Sequence, residues 1–158
     1  MSIPDKQLMH GAALVPIVGY AQFKALNKQG KGVYTLNDDT PFIVKYARKP
    51  NAKGLWPFSF SATELATGRT LSRRYGECYT VLVCYPGTVC LLDWHDLSQI
   101  VDVFSLKAEG IRCETPKGKL IRVSSGRTPR GQQLKVAAAS FPKKMFQSPS
   151  RRKLAVAA

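Results

Sequence analysis

Apolar residues along the chain fall into blocks whose spacing predicts alternating helical and extended elements. In residues 7–27, Leu8, Ala12, Val15 and Val18 recur every three or four positions, which places them on one side of a helix. Pro16 removes one helical hydrogen bond, and Gly11 and Gly19 weaken the element, so two short helices, or one that breaks near Pro16, are expected. Gln22 to Leu26 would continue the second helix, and residues 27–32 read as a loop. Residues 33–36 and 42–46 then form a hairpin around Asn37-Asp38-Asp39-Thr40. In its second strand Phe42, Val44 and Tyr46 share one face and Ile43 and Lys45 the other.

Residues 56–60 read as a strand with Phe58 and Phe60 on one face. Ser61 and Glu64 have the spacing of a capping box, so a helix starts at Ala62 and is expected to end at Gly68. Two runs within 78–92 are apolar at nearly every residue, which suits strands covered on both sides, and Pro86-Gly87 between them suits a type II turn. Asp93 caps a helix to about Val101, with Leu97, Ile100 and Val101 inward. Residues 110–125 form a last hairpin with Arg112 and Glu114 on one face and Ile111 and Cys113 on the other, and 134–141 a short ordered piece. The fold class is α+β, a mixed sheet built from hairpins and flanked by short helices. One domain is expected over 1–141, followed by a basic, partly disordered tail over 142–158.

Charge sharpens this picture. From residue 111 onward the chain carries twelve Lys or Arg and one acid, a net +11 out of the overall +14. Such an end attracts polyanions and releases their counterions, so nucleic acid is the leading partner class. The cations fall into four groups: Lys45, Arg48, Lys49 and Lys53; Arg69, Arg73 and Arg74; Lys117, Lys119, Arg122, Arg127 and Arg130; and Lys143, Lys144, Arg151, Arg152 and Lys153. The alternative is a solvated basic surface without a ligand. Trp56, beside the basic loop, is the best candidate to stack a base, with Trp94 and Tyr75 behind it; both tryptophans also suit core anchors. Zinc-finger, homeodomain and RNP signatures are absent from the sequence, so base-specific readout is not expected.

Cys78, Cys84, Cys90 and Cys113 form no CxxC pair, and His10 and His95 lie outside any zinc spacing, so buried, reduced thiols are expected. The longest apolar run, 11–21, contains Pro16 and falls short of the roughly 20 residues a membrane span needs. The first ten residues lack the order of a secretion signal, so a cytoplasmic protein without a membrane partner is expected. Phosphate-loop, G-x-S-x-G and HExxH motifs are missing.

The acidic turn at Asp38 and Asp39, followed by a strand bearing Lys45, suits a divalent ion and a scissile phosphate. Over residues 7–101 the layout of helix, hairpin, covered strands and helix resembles the PD-(D/E)xK nuclease superfamily. That resemblance implies a Mg²⁺-dependent nuclease with Asp38 or Asp39 on the ion and Lys45 at the phosphate. The chain departs from the pattern at Ile43, where an acid would stand two residues before Lys45, so a degraded centre is expected; Asp38 and Asp39 also suit ordinary turn chemistry. The stretches HGAALVPI, LNDDTPFIVKYARKP, WPFSFSATEL and YTVLVCYPGTVCLLDWHDL resemble a recurring small bacterial domain, which supplies no activity. The leading reading is therefore a cofactor-free protein that binds nucleic acid through backbone contacts. The alternatives are the Mg²⁺-dependent nuclease and a module of a defence or mobile-element system whose basic tail docks an acidic protein surface.

Overall fold

The computed structural model describes residues 2–115, 120–129 and 131–147. Helix α1 (Asp5–Val18) leads into three antiparallel strands, β1 (Leu26–Gly30), β2 (Val33–Leu36) and β3 (Thr40–Ala47). Strand β4 (Trp56–Phe60) and helix α2 (Ala62–Tyr75) connect β3 to β5 (Tyr79–Cys84), which lies parallel to it. Strand β6 (Thr88–Leu92) turns back antiparallel, and α3 (Trp94–Ile100) follows. The chain then builds β7 (Glu109–Glu114), β8 (Leu120–Ser125) and β9 (Leu134–Ala137), and ends its described part in two short 3₁₀ turns, Ala138–Ser140 and Lys143–Phe146. A mixed five-stranded sheet runs β1-β2-β3-β5-β6, and a second, antiparallel sheet runs β4-β7-β8-β9.

The five-stranded sheet is buried on both faces along β3, β5 and β6, which are apolar at most positions, whereas its edge strand β1 is mostly exposed. On one face Phe42, Val44, Tyr79, Val81, Val83 and Leu91 pack against Met9, Ala13 and Ile17 of α1 and against Met145. On the other, Leu82, Cys84, Cys90 and Leu92 meet Leu65, Leu97, Ile100 and the inner face of the second sheet. All four cysteines are buried and free among these layers. Burial, with Glu77 nearby, pushes the Cys78 thiol up to about 12, so it stays protonated at neutral pH.

Several elements depart from the pattern-based expectation. Helix α1 is continuous through Pro16, because the lost bond falls in its last turn while Met9, Ala13 and Ile17 hold the helix to the sheet. Its inner face is Met9, His10, Ala13 and Ile17, whereas Leu8, Ala12, Val15 and Val18 face outward. Residues 26–30 form an edge strand in place of a helix end and loop, recruited by pairing with β2. Helix α2 passes through Gly68 and stops at Gly76, whose φ of 81° allows the left-handed cap. Gly68 is kept free of a Cβ by the Trp94 ring, which such an atom would approach to 2.5 Å. The turn between β5 and β6 spans residues 84–87, with cis Pro86 third and the Gly87 N–H donating to the Cys84 carbonyl, not the type II arrangement.

Residues 142–147, expected to begin the flexible tail, are packed. Met145 is buried, the Tyr79 hydroxyl donates to the Lys144 carbonyl at 3.0 Å, and Lys144 Nζ donates to Asp93 at 2.6 Å. The rest of the expected tail lies outside the described residues. Among the described residues no helix is long and apolar enough to cross a membrane.

Candidate nucleic-acid interface

The β1–β2 hairpin ends before β3 does. The last paired residues of β2 and β3 are Val33 and Ile43, and the Val44 N–H donates to the Gly32 carbonyl at 2.9 Å. Lys45, Tyr46 and Ala47 therefore extend past the partner strand, with α1 on one side and α2 on the other. A cleft of about 780 Å³ opens there. It is lined by Lys6 and His10 from α1, Lys31 from the hairpin, Lys45 from β3, and Thr63, Glu64 and Thr67 from α2. Gly32, at φ 71°, turns the hairpin tightly enough that its missing Cβ would meet the Val44 carbonyl at 3.3 Å.

Lys45 is mostly buried, and its Nζ donates to Glu64 Oε2 at 2.6 Å and sits 5.2 Å from the centre of the Phe60 ring. Glu64 is also the reciprocal half of the capping box, accepting from the Ser61 N–H at 3.0 Å while Ser61 Oγ accepts from the Glu64 N–H. Burial alone would raise the Glu64 pKa, but the Lys45 and Ser61 hydrogen bonds outweigh it and hold the carboxyl below its ordinary value. His10 is buried beneath the cleft and hydrogen-bonded through Nδ1 to the Tyr34 hydroxyl at 2.9 Å. Desolvation, followed by the positive charges of Lys6 and Lys28, lowers its pKa below the ordinary imidazole value. At neutral pH it is thus an uncharged polar group within a cationic rim.

The sequence-derived candidates are only partly assembled here. Lys45 lines the cleft, and Arg48, just beyond it, pairs with Asp5 at 2.9 Å. Lys49 and Lys53 are exposed in the following loop. Asp38 and Asp39 sit at the far end of β3, where six residues of extended chain, about 20 Å, separate Asp39 from Lys45. Their partners are local: Asp38 accepts from Asn27 Nδ2 at 2.8 Å and Asp39 from Thr40 Oγ1 at 2.8 Å. Trp56 is buried, with its indole N–H donating to the Tyr85 carbonyl at 3.0 Å, and serves as a core anchor; it has no free face for a base. Trp94 is half-buried against Gly68, and Tyr75 carries Arg74 over its ring.

Arg69 donates to the Val103 carbonyl, and Arg73 is exposed on the same helix. Arg122 projects from the outer face of the second sheet opposite Lys135, with Glu114 on its other side. Arg127 pairs with Glu109 at 2.7 Å and Lys144 with Asp93, whereas Lys143 is exposed. Lys117, Lys119, Arg130, Arg151, Arg152 and Lys153 lie outside the described residues. The residues missed from sequence are Lys6, His10, Lys31 and Glu64; of these only Glu64 had a signal, its place in the capping box.

A divalent ion does not fit this donor set. Among the described residues Glu64 is the one carboxylate on the cleft wall and is committed to Lys45 and Ser61, and Ile43, two residues before Lys45, is a buried apolar side chain. Among the described residues no group of three or more His, Cys, Asp or Glu side chains is placed to hold a metal.

No family model matches the chain, and no curated protein matches it. Among solved structures it is similar to Hjc of Archaeoglobus fulgidus, a Holliday junction resolvase from an archaeal hyperthermophile. Sequence identity is 19%, the match covers 68% of this chain and 83% of that chain, and the TM-score is 0.46. The order of α1, three antiparallel strands, α2 and a strand parallel to β3 follows the layout of helix, hairpin and covered strands expected from the sequence, with β1 added. A likeness at that level says nothing of activity.

Proposed function

We propose that this protein binds nucleic acid through the phosphate backbone, with the cleft at the end of β3 as the seat of one or more phosphates. The observation that carries this reading is convergence: Lys6, Lys31 and Lys45, from three separate elements, face one cleft that holds a single carboxylate among the described residues. Lysines are mobile point charges that suit phosphate without reading sequence. Neutral His10 and the Thr63 and Thr67 side chains add polar groups to the same walls. The missing donor set for a divalent ion favours binding over metal-dependent cleavage.

Fluorescence anisotropy with labelled duplex and single-stranded DNA and RNA across a salt series tests it. Association should weaken steeply with salt, and the double variant Lys6→Ala/Lys31→Ala should flatten the slope on duplex DNA by about 1.8, from about 0.9 per phosphate contact. Absence of binding at low salt, or an unchanged slope in the double variant, overturns the reading. A second reading, a metal-dependent nuclease, is favoured only by the position of Lys45 on the strand parallel to β5, beside α2. Cleavage in Mg²⁺ or Mn²⁺ by wild type that is lost in Lys45→Ala would establish it in place of the first.

A further inference from the structure

The loop between α3 and β7 exposes two large apolar side chains, Phe104 at 65% and Leu106 at 93%. Single exposed apolar residues are ordinary, but the Phe104 ring is held in place. The Arg69 guanidinium lies 5.1 Å from the centre of one face of the ring and is itself anchored on the Val103 carbonyl. The Phe104 N–H donates to Asp102 Oδ1 at 3.0 Å, and the Asp102 N–H donates to Glu109 Oε1 at 3.0 Å. Ser105 Oγ closes the next turn, donating to the Lys107 carbonyl and accepting from the Lys107 N–H. A groove of about 360 Å³ runs beside the ring, between Phe104 and Trp94, with Arg69 and Arg73 on its α2 wall. The nearby acids are engaged, Asp102 with the loop backbone and Glu109 with Arg127.

We propose that Phe104 is a stacking platform for an unpaired base of a nucleic acid whose backbone runs along Arg69 and Arg73. The inference rests on the proposed phosphate-binding reading and deepens it by naming single-stranded or locally unpaired nucleic acid as the substrate class. Arg69 lies over one face of the ring and Phe104 is 65% exposed, so a base on the opposite face would complete an arginine–aromatic–base stack. The location supports this. Thr63, Glu64 and Thr67 of α2 line the phosphate cleft, while Arg69, Ser72 and Arg73 of the same helix line this groove. A strand seated in the cleft would pass over the exposed side of α2 to meet Phe104. The hydrogen-bonded loop fixes the ring before binding, so little ordering entropy is lost on stacking.

The test uses the full chain and a single-stranded oligonucleotide carrying 2-aminopurine, with anisotropy measured in parallel on single strand and duplex. Wild type should quench the 2-aminopurine on binding. Phe104→Ala should abolish the quench and weaken single-strand binding about 5- to 150-fold, the range expected for one base–aromatic stack. Duplex binding and the salt slope should change little, because no charge is removed, and Phe104→Trp should restore both quench and affinity. Unaltered quench and affinity in Phe104→Ala, or equal losses on duplex and single strand, overturn the platform while leaving the phosphate cleft standing. Failure of wild type to bind either nucleic acid at low salt overturns both.

Discussion

Substituting Glu64→Gln isolates the internal competitor for the cleft. Lys45 is the deepest cation there, and its ammonium is held at 2.6 Å by the Glu64 carboxylate. A bound phosphate must share or displace that carboxylate before Lys45 can contribute fully. The pair is partly solvated, with side-chain exposures of 18% for Lys45 and 36% for Glu64, so its net worth is discounted to about 0.5–1 kcal/mol. Glutamine keeps the other duty of Glu64, because its carbonyl oxygen can still accept from the Ser61 N–H and preserve the capping box. Stability should therefore fall by no more than about 1 kcal/mol, read from urea unfolding.

Binding should move the other way. A lysine no longer committed to an internal pair of about 1 kcal/mol should tighten association roughly fivefold at low salt. It should also steepen the salt dependence by about 0.9 on duplex or about 0.7 on single strand, one phosphate contact's worth. Glu64→Ala is the informative contrast: it frees Lys45 as well but removes the acceptor for the Ser61 N–H, the reciprocal half of the capping box, adding about 0.5–1.5 kcal/mol of destabilisation. If Glu64→Gln folds normally and binds DNA and RNA with unchanged affinity and slope, Lys45 is not a phosphate ligand and the cleft is misassigned.

Two further outcomes follow from the packing around this site. Gly68→Ala places a methyl 2.5 Å from the Trp94 ring and should cost about 1–3 kcal/mol in urea unfolding; a neutral result would refute the idea that this contact is what keeps residue 68 a glycine. His10, buried and held below the ordinary imidazole pKa, leaves stability at its full value above the unfolded-state pKa of about 6.5, and stability should decline as pH falls from there toward the folded pKa, where the unfolded chain binds the extra proton. His10→Gln should remove that part of the slope from a stability–pH profile, and an unchanged profile would show that His10 titrates alike in both states.

The elements legible from sequence were those whose burial leaves one interpretation. Strands β5 and β6 are apolar at nearly every residue, and a double-sided core was the reading that fitted them. The Ser61–Glu64 capping box and the Asp93 cap placed their helix starts correctly, because the side-chain geometry is local. Helix α1 was misread on the choice of face. It has apolar residues on both sides, so periodicity cannot say which stripe is buried, and the decision rests with partners such as Tyr34, which meets His10 from β2. Strand β1 has no apolar alternation at all; it is defined by backbone pairing with β2, and its exposed polar side chains form the edge of the sheet. Gly68 looked like a helix stop, whereas it marks a close approach by a ring from another helix. Asn37 is similar. At φ 51° it turns the hairpin, and its side chain also accepts from the Lys24 and Ala25 N–H groups and donates to the Gln22 carbonyl, tying in a segment the sequence gives no reason to place there.

Net charge along a segment and the local field at a cleft are different quantities. What a phosphate feels locally is the field of cations that have no internal counter-charge within a few ångströms. In the strongly basic last third, Arg127 faces Glu109 and Lys144 faces Asp93, and each pair acts as a dipole whose field falls off faster than that of a lone charge. The Lys144 case is instructive. Burial would lower its pKa, but the Asp93 hydrogen bond raises it, so the residue is a cation kept charged for docking residues 143–146 onto the body. The first 110 residues carry a net charge of only +3, yet Lys6 and Lys31 reach the cleft unpaired among the described residues because the acids of that region, such as Asp38 and Asp39, lie at the other end of the sheet. Sequence proximity linked those aspartates to Lys45, and the length of an extended strand separates them. A fold that segregates its charges can therefore build a cationic cleft from a nearly balanced segment, and under the proposed reading what matters is where the cations converge in space, not how many the segment carries.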